Sequence, residues 1–293
     1  MLTPGVYLDV PDPEYRSWPA ISQTSLKVIG EKSPAAYKYQ QEHLRPRTEA
    51  LIRGSVVDCL CFEPEAWDER FLVSKWPNAI CLECGADPCE PCTTQKGSPA
   101  KVCHSGRKAA PSFDKRIVIT PEESKEYGRI ASAALEHPTV GNLIATSQHQ
   151  VSLLWKDEET EVMCKGRLDI KRDDLIGDLK TCMAGAARNP GAWARHAFKF
   201  GYHYQSAFYT GGWEVLTGER LPWLWAAVET EAPYPVAIFQ ADPNWMRAGE
   251  IAYRRALRMY ADCLEVNAWP GYPDDVQECS LPSWAMRAVE EME

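Results

Sequence analysis

The chain lacks any long apolar run: none of its 293 residues lies in a stretch approaching the ~18–20 apolar residues of a membrane-spanning helix. It has no G-x-x-x-x-G-K-[ST] loop, so ATP is not expected as a cofactor. Its opening, Met1-Leu2-Thr3-Pro4-Gly5, lacks the basic and apolar regions of a secretory leader, and a cytoplasmic location is expected. Basic charge is in deficit, with 32 Lys and Arg against 41 Asp and Glu and a net charge of −9. That balance argues against a general nucleic-acid coat, because covering phosphates needs a basic surface. It leaves room for a locally basic site whose acidic metal ligands add to the negative total.

Cysteine, by contrast, is plentiful: there are eleven. In a cytoplasmic chain these read as metal ligands or buried thiols rather than disulfides. The composition, 45% hydrophobic and 25% charged, predicts a globular core. The length allows one large domain or two small ones, and the whole chain, residues 1–293, is read as a single domain.

One stretch carries a chemical pattern. From 161 to 170, Val162, Cys164, Leu168 and Ile170 alternate with Glu161, Lys165, Arg167 and Asp169, the period of a strand with one buried face. Arg172-Asp173-Asp174 is turn chemistry. A second strand, Leu175 to Thr181, puts Asp178 and Lys180 on one face. A hairpin loop of even length would add Asp169 to that face. Two carboxylates side by side resist ionisation, a bound divalent cation removes the cost, and the lysine can then hold or polarise a water. The pattern is D…(D/E)-x-K. Alone it is weak, since a solvated hairpin with surface charges would show it too.

The flanking chain reads as follows. Residues 1–20 look like an extended arm. Helices are expected after Ser22 as N-cap and from Pro34, in a region made basic by Lys27, Lys32, Lys38, Arg45, Arg47 and Arg53. Such a run is commonly a solvated face, and could also track a phosphate backbone. A helix over Thr48 to Phe62 has Leu51, Ile52, Val56, Cys59 and Leu60 as its apolar stripe, and Asp58 inside that segment needs a partner or a metal. Thr120-Pro121-Glu122-Glu123 is a capping box. A strand over Gln150 to Trp155 leads into the hairpin. Beyond it come helices from Asn189-Pro190 and over Tyr202 to Leu216, then strands over Leu221 to Thr230 and Val236 to Gln240. A long amphipathic helix, Pro243 to Val266, would turn Ile251, Ala252, Ala256, Met259 and Tyr260 inward, and a short helix follows Pro282.

Residues 76–110 differ in character. Cys81 and Cys84, then Cys89 and Cys92, form paired C-x-x-C motifs, followed by Cys103 and His104. Such pairs suit a structural Zn²⁺ in an inserted knuckle; with so short a gap between them, Cys103 or His104 can replace one ligand. A reduced cysteine-rich loop is the alternative. Thiolates do not suit the oxygen-ligated Mg²⁺ of phosphoryl chemistry, so this is not the catalytic metal.

Taken in order, these motifs resemble one family. Ile21-Ser22 through Ser33-Pro34-Ala35, Gly54-Ser55 through Phe62-Glu63-Pro64, Cys164 through Asp169, Asp178-Leu179-Lys180-Thr181 and Gly201-Tyr202-His203-Tyr204-Gln205-Ser206-Ala207-Phe208-Tyr209 are similar to the C-terminal nuclease domain of RecE (exodeoxyribonuclease VIII). That domain belongs with the phage recombination exonucleases of the PD-(D/E)xK superfamily, alongside the RecB nuclease domain and lambda exonuclease. The resemblance covers residues 5–73 and 117–265. It implies an α/β fold with a central mixed sheet flanked by helices. It implies that Asp169 and Asp178 ligate Mg²⁺ or Mn²⁺ with the Leu179 carbonyl, that Lys180 orients water, and that Gln205 and Tyr209 form the Q-x-x-x-Y motif reaching the scissile phosphate. It implies hydrolysis of linear double-stranded DNA from its ends, 5′ to 3′, a RecT-like single-strand annealing partner, and a trimeric or tetrameric ring.

Two departures stand out. Asp58 occupies the place of a family His; as a hard oxygen ligand it can still serve Mg²⁺. Gln150 stands where an acid is expected. An iron–sulfur cluster held by late cysteines is excluded, since Cys263 and Cys279 are too few and too far apart. An endonuclease of a restriction or defence system on the same fold, or a decayed DNA-binding protein, are the rival readings.

Overall fold

A computed structural model of the chain describes residues 3–43, 47–74, 79–80, 108–109 and 116–291. The strands are β1 (Gly5–Tyr7), β2 (Ile21–Ser22), β3 (Phe71–Val73), β4 (Ala79–Ile80), β5 (Lys108–Ala109), β6 (Ile117–Ile119), β7 (Gln148–Lys156), β8 (Met163–Arg172), β9 (Leu175–Cys182), β10 (Trp223–Glu229) and β11 (Val236–Gln240). The helices are α1 (Asp12–Ser17), α2 (Gln23–Glu31), α3 (Pro34–Glu42), α4 (Glu49–Phe62), α5 (Trp67–Arg70), α6 (Pro121–Glu136), α7 (Pro138–Ala145), α8 (Pro190–Lys199), α9 (Tyr202–Thr217), α10 (Pro243–Val266) and α11 (Ser283–Glu290).

Their starts follow local chemistry. Ser22, Ser33, Thr48, Asn189 and Asp242 each accept a backbone N–H at the head of a helix, and Thr120 with Glu123 closes the reciprocal capping box. Gly218, at φ 79°, ends α9 in the left-handed conformation that glycine adopts without a Cβ penalty.

The main sheet runs β1-β7-β8-β9-β10-β11, with β2 beside β8. Pairs β7–β8, β8–β9 and β10–β11 are antiparallel, while β9–β10 is parallel, so the sheet is mixed as expected. The parallel pair requires a crossover, supplied by α8 and α9. Helices cover both faces. On one, Leu26, Phe208, Tyr253 and Leu257 from α2, α9 and α10 pack with Leu153, Leu168, Ile176 and Trp225. On the other, Val56, Tyr127, Ile130 and Leu143 from α4, α6 and α7 pack with Ile170, Leu179 and Val228.

Several expectations need correction. Residues 1–20 are not merely an extended arm: β1 pairs with β7, and α1 follows. Arg172 ends β8 rather than sitting in the turn, which is Asp173-Asp174. Leu51 and Ile251 are exposed. Ile251 lies about 200° round α10 from Gly249, and Gly249, Tyr253, Ala256 and Leu257 set the buried face. The candidate zinc ligands Cys81, Cys84, Cys89, Cys92, Cys103 and His104 lie outside the described residues, as does Arg45. Of the surrounding segment, Ala79–Ile80 pairs antiparallel with Lys108–Ala109.

Packing is close where α10 crosses α9. A Cβ on Gly249 would stand 2.0 Å from the His203 carbonyl oxygen and 2.8 Å from Ala207 Cβ. Alanine improves helix propensity by about 0.8–1.0 kcal/mol over glycine. Overpacking costs about 1–3 kcal/mol, and the obstacle here is backbone, which cannot step aside. Gly249→Ala should therefore be destabilising on balance, seen as a lower urea midpoint. A higher midpoint would show that the helices are not in such close contact.

Candidate active site

The hairpin sets the site. Ile170 pairs with Gly177, and the next residues outward are Asp169 and Asp178. Register alone therefore places the two carboxylates opposite each other on one face. Lys180, two residues on, shares that face. Asp58 comes from α4, Gln205 and Tyr209 from α9. All six line one cavity of about 970 Å³, together with Lys165, Arg167 and Gln150. Residues expected from separate motifs thus converge. Leu179 differs: its side chain is buried in the opposite core with Val56 and Ile130.

Asp178 is buried and has both oxygens engaged. Gln205 Nε2 donates to Oδ1 at 2.7 Å, and Lys180 Nζ lies 2.5 Å from Oδ2. Gln205 is itself buried. The ammonium of Lys180 also sits over the Tyr202 ring, 5.3 Å from its centroid. Burial opposes the charge on Lys180, but Asp178 and Asp169 overcome that and hold it firmly protonated.

The acids press on one another. Burial, then repulsion from Asp178 and Asp58, pushes the Asp169 carboxyl well above the usual range. Asp58 is pushed up to about 7, by burial first and by Asp178 against the relief from Lys180. Tyr209 is raised too, by burial and then by Tyr15 and these carboxylates. Lys180, with a weaker contribution from Arg70 at Asp58, does not balance three close carboxyls: Asp58 and Asp169 stay raised. A hard divalent cation is the partner this oxygen-donor set fits. Among the described residues, though, no three acidic, histidine or cysteine side chains are already closed into a metal cage. Instead Asp178 turns its oxygens to Gln205 and Lys180.

Some contributors were not foreseen. Lys165 Nζ donates to the carbonyls of Tyr15, Arg16 and Trp18 at 3.1, 2.9 and 2.8 Å, satisfying the end of α1. Arg167 lies over the Tyr15 ring at 4.4 Å and 3.6 Å from Asp12. These cations hold the N-terminal segment against the cavity. Charge alternation in β8 showed that they face the acids' side, but not what they would meet. Gln150 has φ 51° within β7, between His149 and Val151, which pair with Ile170 and Leu168. A left-handed glutamine beside a cavity is the kind of strain that gathers at functional sites. Tyr202 could have been found from sequence, since Tyr202, Gln205 and Tyr209 stand at i, i+3 and i+7 on one helix face.

The raised acids make a pH prediction. A carboxyl whose folded pKa exceeds its unfolded value contributes stability that is full below the unfolded value and lost as pH rises through the folded one. For Asp58 the window runs from its ordinary 3.8 to about 7. With EDTA present, the unfolding free energy should carry this loss, and Asp58→Asn should flatten it. An unchanged slope in the variant would show that Asp58 is not desolvated beside the other acids.

Two comparisons bear on this architecture. The profile of the family described as "PDDEXK-like domain of unknown function" (DUF3799) matches residues 22–282. The crystal structure of a protein from Eubacterium rectale, provisionally named an exonuclease, superposes with a TM-score of 0.60 at 16% identity over 96% of this chain and 99% of that one. At that identity the likeness shows a shared fold. No curated protein gives a significant match. With residues 22–282 inside the family match, most of its length, the chain belongs to the PDDEXK-like domain family DUF3799.

Proposed function

We propose that this chain is a divalent-metal-dependent DNA exonuclease acting on linear double-stranded DNA. The observation that carries the reading is the convergence of Asp58, Asp169, Asp178, Lys180, Gln205 and Tyr209 on one large cavity. Its volume, about 970 Å³, suits a group of nucleotide size. The resemblance to RecE-like nucleases supports the finer points. These are 5′ to 3′ polarity, production of single strands for phage-type recombination in the cytoplasm, a RecT-like annealing partner and a trimeric or tetrameric ring.

Asp169 and Asp178, with Asp58 and the Leu179 carbonyl, would hold Mg²⁺ or Mn²⁺. When bound, such an ion neutralises phosphate charge and lowers the pKa of water. The chain's own groups do the rest. Lys180, held protonated by the acids, donates a hydrogen bond and fixes the direction of the attacking water. Gln205 locks the Asp178 carboxylate in one orientation through Oδ1. Tyr209, kept neutral by burial, presents a hydroxyl donor toward an anionic group. Burial of Asp58, Asp169, Asp178 and Lys180 strengthens these interactions relative to bulk water.

The test is degradation of end-labelled linear duplex DNA in Mg²⁺ and in Mn²⁺, beside closed-circular DNA and an EDTA control. Linear DNA should disappear and the circle survive. Lys180→Ala should slow the loss by about 10²-fold or more. Cleavage of the circle would instead identify an endonuclease. Survival of both substrates would favour the reading in which Asp58, standing in place of a histidine, marks a site that binds without cutting.

A further inference from the structure

A second groove, of about 260 Å³, lies between the segment after β9 and helix α8. Arg188, Arg195, His196 and Lys199 line it, and no acidic residue does. Among the described residues, Arg188, Arg195 and Lys199 have no ion-pair partner. In a chain of net charge −9, a group of unpaired cations on α8 and the segment just before it is a local reversal of sign.

Half-open aromatic rings flank these charges. Phe198 is 57% exposed, yet one face is already stacked on the His203 ring at 4.6 Å and 16°. Phe200 is 45% exposed and lies 4.7 Å from the His196 ring. Tyr202 joins this face to the carboxylate cavity: it lies 5.3 Å from the Lys180 ammonium on one side and 6.1 Å from the Phe200 ring on the other.

The face is rigidly mounted. Glu229, buried on β10, accepts the N–H groups of Gly185 at 2.8 Å and Ala187 at 3.0 Å, which fixes the backbone just before Arg188. Trp193 anchors α8 by stacking on Phe239 at 5.1 Å and 10°.

We propose that this α8 face is a track for single-stranded DNA leading from the carboxylate cavity, with Arg188, Arg195 and Lys199 holding phosphates and Phe198 and Phe200 stacking bases. Its place in catalysis rests on the nuclease reading; its capacity to bind does not. Unpaired cations beside half-open rings suit a strand whose bases are unstacked. Duplex DNA would meet the cations but offer the rings nothing, because its base faces are already covered.

The experiment is fluorescence anisotropy of the full chain with labelled oligothymidylate and with duplex, in EDTA so that nothing is cut, across a range of salt. Arg195→Glu with Lys199→Glu should weaken single-strand binding by about tenfold or more and reduce its salt slope. Phe198→Ala should weaken it about fivefold or more with the slope unchanged. Duplex binding should fall less with the charge variants and stay unchanged in Phe198→Ala, because duplex meets the cations and not the rings. Arg195→Gln with Lys199→Gln, checked by circular dichroism, provides a milder variant should the reversal misfold. The proposal is overturned if the wild-type chain does not bind the oligonucleotide, or if the variants bind it as well as wild type does. It is equally overturned if duplex binding falls as far, which would make the groove a duplex contact. Binding through this face by a chain that leaves linear DNA intact in Mg²⁺ would keep the track and remove the nuclease reading.

Discussion

The structure depends on three carboxyls crowded into one place. Asp169 and Asp178 are brought together by strand register, Asp58 is added from α4, and Lys180 is the cation paired with them, with Arg70 relieving Asp58 more weakly. Like charges in a protein-walled cavity raise each other's pKa and oppose folding when ionised. A fold keeps such an arrangement where something else supplies the missing positive charge. The rest of the site is built around this imbalance: Gln205 braces Asp178, and Tyr202 shields Lys180.

The scaffold divides the work between its faces. One face of the sheet packs on α4, α6 and α7, and the other on α2, α9 and α10. The acids reach the cavity from strand and helix alike, while Leu179, between Asp178 and Lys180, is sunk in the opposite core. Alternation along β9 thus fastens the site to the core residue by residue. The N-terminal segment is held from the same hairpin by Lys165 and Arg167. These cations serve there as structural donors. Among the described residues, cations without an ion-pair partner gather instead on α8 and just before it.

Much of this was legible in the sequence, for identifiable reasons. Helix starts were visible because Ser22, Thr120 and Asn189 bond to backbone nearby, and such bonds are local. The Asp169–Asp178 pairing was legible because a short turn fixes register, although the alternation that set Leu168 and Ile170 on one face fails there: they pack in opposite cores. Long-range partners were not. Nothing near Lys165 announces that it will meet the carbonyls of Tyr15, Arg16 and Trp18, and nothing near Glu229 announces Gly185 and Ala187. Leu51 and Ile251 misled because apolar residues also occur on exposed faces. The left-handed backbone of Gln150 has no sequence signal, since glutamine does not favour it.

The central claim is that the carboxylate cluster is completed by a divalent cation. It is tested most directly by titrating Mn²⁺ into the metal-free chain at pH 8 and following thermal unfolding. A ligand that binds only the folded state raises its stability with concentration. The account predicts a rise in the unfolding temperature of the wild-type chain that is lost in Asp169→Asn. A wild-type chain indifferent to Mn²⁺, or a variant that responds as fully as the wild type, would contradict it.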